Sequence, residues 1–152
     1  MDITALSEVL DQIEDRALVH HGYTDYMRDY EVVVHMTADP HTGIPPAHLR
    51  YLFRYCVEAR CETSLEPWLW KESLDDRLID HGTAEGLDGY VWGVKWQNVE
   101  RIRVLPTSDT AHRWARELGI DFHAVRIELN AHDLSLVFSD LEITELPGDW
   151  EK

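Results

Sequence analysis

An alternation of apolar and polar side chains runs through residues 49–63, LRYLFRYCVEARCET. Leu49, Tyr51, Phe53, Tyr55, Val57, Ala59 and Cys61 fall on one side; Arg50, Leu52, Arg54, Cys56, Glu58, Arg60 and Glu62 fall on the other. Successive strand side chains point to opposite faces, so the pattern describes a half-buried strand with an aromatic inner face and an arginine-rich outer one. A helix would leave Tyr51 and Tyr55 off the apolar stripe, and Tyr, Phe, Val and Thr favour pleated structure. A strand of more than about twelve residues is unusually long, so a bend or bulge is expected inside it. The outward arginines read as partners for nearby carboxylates.

The rest of the chain has to pair with this strand or pack on it. Residues 2–17 read as an amphipathic helix, with Ile3, Leu6, Val9, Leu10, Ile13 and Leu18 as its stripe, Asp2 as N-cap and Gly22 as a stop. A polar aromatic loop follows, then a strand over residues 30–37 whose three valines suit burial on both faces. Pro40, Gly43, Pro45 and Pro46 break regular structure, and an antiparallel hairpin is expected to join this strand to the central one. Residues 68–82 read as a short helix with Trp70, Leu74, Leu78 and Ile79 inward. Residues 90–96 read as an aromatic strand weakened by Gly93, and 101–105 as a short strand. Ser108 or Asp109 caps a helix closed at Gly119. Strands over 122–129 and 134–138 flank a turn, residues 140–146 extend or add a last strand, and 147–152 are expected to fray. Strands mostly follow strands. The expected fold is a single α+β domain: a curved, mainly antiparallel sheet of about six strands, with the N-terminal helix and one or two others on one face.

With 29 acidic against 14 basic residues, the formal net charge is -15. Such a surface repels phosphate backbones and anionic lipids, which argues against nucleic-acid and membrane partners. No base precedes Arg16 and no apolar run approaches a membrane span, so neither a signal peptide nor a transmembrane segment is expected. On one strand Cys56 and Cys61 would lie roughly 16 Å apart on opposite faces, too far to bridge. Free thiols point to a reducing, cytoplasmic setting.

Chemistry is sparse. The nine histidines include no helical i, i+4 pair, and no Cys-x-x-Cys accompanies them. Asp39, His41 and His48 form the best loop cluster, read as polar loop residues. Cys56 can approach His35 across the hairpin, but buried strand cysteines are usually inert. No serine-nucleophile, phosphate-loop or dinucleotide motif is present, and no catalytic residue, metal ligand or cofactor is assigned. The densest charge is Asp75, Asp76 and Asp80, beside Trp68 and Trp70. Aromatic anchors next to complementary charge suit docking on a cationic protein. The alternative is a small-molecule binder or hydrolase using the concave sheet face, with His35, His41 and Cys56 contributing.

The segments GYTDYMRDYEVVVH (residues 22–35), LRYLFRYCVEA (49–59), LDGYVWGVKW (87–96) and LSLVFSDLEI (134–143) together resemble the YxiG-like family of small bacterial proteins. The likeness spans most of the chain after the first helix. That family has no established activity, so the resemblance carries no catalytic residue across. Its namesake sits in a toxin-and-antidote gene setting, which implies an immunity role for relatives, here neutralisation of a cationic toxin.

Overall fold

The computed structural model describes residues 2–37, 40–43 and 45–151. Helix α1 (Ile3–Asp11) is capped by the Asp2 carboxylate, which accepts from the Ala5 N–H at 2.8 Å. It stops well short of residue 17, because Asp15 takes a positive φ of 64° and turns the chain. Strand β1 (Ala17–Tyr23) then occupies the stretch expected to end the helix and form a loop. Its local pattern was hidden by paired histidines and Gly22; its pairing with β2 (Tyr30–Met36) is what makes it a strand. β3 (Ala47–Arg54) completes the expected hairpin, with Tyr30 opposite Phe53 and His35 opposite His48.

The central stretch is two strands rather than one. β3 ends at Arg54, Tyr55 adopts φ 51°, and β4 (Glu58–Thr63) follows. β7 (His132–Phe138) and β8 (Asp140–Leu146) break at the matching place. Pairing continues across the bend: the Val57 N–H donates to the Val137 carbonyl and the Ser139 N–H to that of Arg54, each at 2.9 Å. Residues 55 and 56 are therefore a bulge that swings a two-stranded ribbon from one half of the sheet to the other. β5 (Gln97–Leu105) and β6 (His123–Leu129) complete eight antiparallel strands in the order β4-β7-β6-β5-β1-β2-β3-β8. β3 and β4 stand near opposite ends of that order yet only three residues separate them, so the sheet curls back on itself without closing.

Inside the curl, Leu6, Leu10 and Ile13 meet Val32, Val34, Tyr51, Phe53, Ile127 and Phe138. Phe53 and Phe138 pack edge to face, 4.7 Å between centroids, a geometry worth roughly 1 kcal/mol beyond the area it buries. Helix α3 (Asp109–Leu118) is delimited as its sequence requires, by the Ser108 hydroxyl on the Ala111 N–H and by left-handed Gly119. Its Ala111 packs with Phe122, Ala124 and Val137. Ala124 and Val137 alternate along their strands with core residues Val125 and Phe138, so α1 and α3 lie on opposite faces of the sheet, not on one. No helix among the described residues is long and apolar enough to cross a membrane.

Candidate functional site

Between β4 and β5 the chain leaves the sheet for residues 64–96. This excursion holds only α2 (Pro67–Lys71) and a short 3-10 turn, Asp76–Ile79. The longer helix expected here does not form: Asp75 is extended and caps the 3-10 turn, splitting the segment. Of the four side chains expected inward, only Leu78 is buried. Trp68 is 59% exposed, Leu74 75%, Ile79 59% and Trp96 48%. Residues 90–96 form no strand, because they pair irregularly with the excursion's own backbone. The N–H groups of Tyr90, Trp92 and Gly93 donate to the carbonyls of Glu72, Leu78 and Ile79. At Gly89, with φ +136°, a β-carbon would sit 2.6 Å from the Glu72 carbonyl oxygen. Trp70 stacks edge to face on Trp92 (4.7 Å) and donates its indole N–H to the Thr63 hydroxyl. Trp68 makes no such bond among the described residues and faces outward.

The acids of this segment divide by role. Asp75 is bidentate with Arg77 and also accepts the Arg77 backbone N–H, and these bonds hold its carboxyl down to about 2. Asp80 accepts the Thr83 N–H and hydroxyl, which lower its pKa, and so fixes the turn at Gly82. Both are local staples first. Asp76 is exposed beside them.

The residues expected at the concave face do not converge. His35 stacks on His48 at 5.0 Å, and His48 on Trp150 at 5.2 Å. His48 thus belongs to β3 rather than to the loop, and Trp150, in the tail expected to fray, lies against the sheet. His41 sits in an exposed turn, and Asp39 lies outside the described residues. Cys56 is buried at the bend beyond the end of β3, whereas His35 faces His48, six residues and roughly 20 Å before that end. Burial pushes its thiol up to about 11, and its sulfur donates to the Glu58 carbonyl. A thiol held protonated so far from an imidazole is a packing residue. Both cysteines are free. Among the described residues no group of three His, Cys, Asp or Glu side chains can hold a metal ion.

Other polar groups do meet, in a cavity of about 300 Å³ between the two halves of the curled sheet. His21 comes from β1, Cys61 from β4, Gln97 from β5 and His132 from β7, over a floor of Leu18 and Leu129. His21 Nδ1 lies 2.6 Å from the Tyr30 hydroxyl, and Gln97 Nε2 lies 2.9 Å from His132 Nδ1. Burial, and then the nearby His20 and His132, lower the His21 pKa; partial enclosure raises that of Cys61. Sequence reading missed this group because its members are separated by up to 111 residues and share no motif. Only the face assignment of Cys61, inward with Ala59, pointed toward it.

A curled, open antiparallel sheet holding one helix inside and one outside defines this as a small α+β protein with an exposed aromatic excursion. Residues 2–152 match the model of the YxiG-like protein family, and the chain belongs to that family. No curated protein matches it.

Proposed function

We propose that this chain is an interaction protein that docks a cationic protein through the excursion over residues 64–96. The observation that carries the reading is the exposure of Trp68, Leu74, Ile79 and Trp96 on a backbone that is itself fixed by internal hydrogen bonds. Anchors held in place before binding lose less conformational entropy on binding. The excursion carries seven acidic residues (Glu66, Glu72, Asp75, Asp76, Asp80, Glu85, Asp88) against three basic ones (Lys71, Arg77, Lys95). Anionic charge of that kind speeds encounter with a cationic partner, while buried aromatics slow release. An immunity role in the cytoplasm, with the partner a toxin whose active site is covered, is the specific form of this reading that the free thiols and the family resemblance support.

The test is co-expression with each protein encoded beside the gene, followed by size-exclusion chromatography with light scattering. A one-to-one complex and suppressed toxicity are expected. Trp68→Ala should then raise the dissociation rate about tenfold or more, and Asp76→Asn should lower the association rate at low salt with little change in dissociation. If no neighbouring product forms a complex and none is detoxified, the reading fails.

A further inference from the structure

We propose that the cavity between β1, β4, β5 and β7 is a binding site for a small organic carboxylate with a compact apolar body. It borders the excursion and shares Lys95 and Trp96 with it, but its histidine and glutamine groups come from the sheet, and its test needs no protein partner.

The hydrogen-bond network sets which atoms face a ligand. The Ala131 N–H donates to Gln97 Oε1 at 3.2 Å, which fixes the orientation of that amide. The Gln97 NH2 therefore donates to His132 Nδ1, 2.9 Å away. A neutral imidazole that accepts at Nδ1 carries its proton on Nε2, so His132 has an Nε2–H with no acceptor among the described residues. The second histidine follows the same logic. Among those residues the Tyr30 hydroxyl has His21 Nδ1 as its hydrogen-bond partner, at 2.6 Å. Burial holds that phenol well above the usual tyrosine range, so it keeps its proton. Donation from the phenol to Nδ1 leaves His21 also protonated at Nε2.

The cavity is thus lined by histidine N–H donors from two strands, β1 and β7, and Lys95 is also in its wall. Among the described residues no carboxylate lines it, in a chain with 29 acidic residues. Leu18, Leu129 and Val19 supply an apolar surface, and Trp96 a flat aromatic one. Neutral donors plus one cation match an anionic acceptor without requiring a buried charge pair, and charge-assisted hydrogen bonds are the stronger class. At about 300 Å³ the space lies at the lower end of small-molecule pockets, which limits the ligand to one ring or its equivalent.

The test uses Cys61, the exposed thiol in the cavity wall, against Cys56, which is buried. Untagged full-length protein is treated with a maleimide in the presence of benzoate or of its neutral isostere benzamide. Benzoate is expected to slow Cys61 modification and to shift the His132 and Gln97 side-chain NMR signals, with benzamide binding at least tenfold more weakly. Lys95→Met, a change at an exposed position, and His132→Phe should each weaken benzoate at least tenfold; the Lys95 variant keeps the test valid if His132→Phe fails to fold. Equal binding of the two probes would overturn the proposal. So would benzoate binding unchanged by both substitutions, or no protection of Cys61 at about 10 mM benzoate, far weaker than a specific site.

Discussion

At the scale of single residues, Asp29 does the most for the bend. It is 8% exposed and accepts two bonds from Arg28 and one from the Tyr55 N–H at 2.9 Å. Tyr55 is the bend residue with positive φ, and the Arg28 guanidinium lies 4.8 Å over its ring. The carboxylate therefore compensates a strained backbone with one oxygen and a cation with both. The Arg28 hydrogen bonds lower the Asp29 pKa against the opposing effect of burial, with the Tyr55 N–H adding to the lowering. Because the folded pKa is depressed, its stabilisation is present above the unfolded value of 3.8 and is lost as pH falls below it. Asp29→Asn should cost about 2 kcal/mol, since it weakens the acceptors of a buried network. It should also flatten the acid limb of stability below about pH 4. Denaturant unfolding as a function of pH checks both; an unchanged midpoint would show that the bulge is held by pairing alone.

At the scale of elements, the structure separates local signals from distant ones. Ser108 and Gly119 delimit α3 within a dozen residues of chain, and both signals held. The hairpin of β2 and β3 was legible from the valine run and the alternation after residue 47. β1 was not, because His20 and His21 acquire a strand role only through their partners Val33 and Val32. The bend at Tyr55 was foreseen as a possibility of length, while its position depends on Asp29, 26 residues earlier. The cavity was the least legible feature, since the Gln97–His132 contact exists only after β5 and β7 are placed around β6. The excursion shows the opposite failure: Tyr90, Trp92 and Trp96 alternate like a strand, but left-handed Gly89 and Gly93 commit the backbone elsewhere. Gly89→Ala tests this. A methyl there would meet the Glu72 carbonyl oxygen at 2.6 Å and Leu78 Cδ1 at 2.7 Å, so about 2 kcal/mol of strain is expected. Hydrogen exchange should show faster exchange at the Tyr90, Trp92 and Gly93 amides while β6 and β7 stay protected. Uniform loss of protection would mean that the excursion and sheet unfold as one unit.

At the scale of the whole molecule, two effects of acidification oppose each other, and salt separates them. His21, His48 and His123 all have pKa values lowered chiefly by burial. His123 also leaves Nε2 buried without a hydrogen-bond partner among the described residues. An imidazole with a depressed folded pKa takes up its proton more readily in the unfolded chain. Its contribution is therefore full above 6.5 and declines as pH drops below that value. Against this, protonating exposed histidines reduces a net charge of -15 and relieves self-repulsion. At about 0.5 M salt the screening length falls to roughly 4 Å, which suppresses the long-range repulsion and leaves the desolvation cost. The melting temperature should then fall steadily between about pH 7 and pH 5 in high salt, and less steeply in low salt. His123→Phe removes the unpartnered nitrogen and keeps a ring beside Phe138, whose centroid is 5.9 Å away. It should raise stability by about 1 kcal/mol near neutral pH and reduce the high-salt slope. Calorimetry across that pH range decides the matter: a high-salt melting temperature independent of pH, with His123→Phe indistinguishable from the parent, would show that the buried imidazoles carry no proton-linked stability.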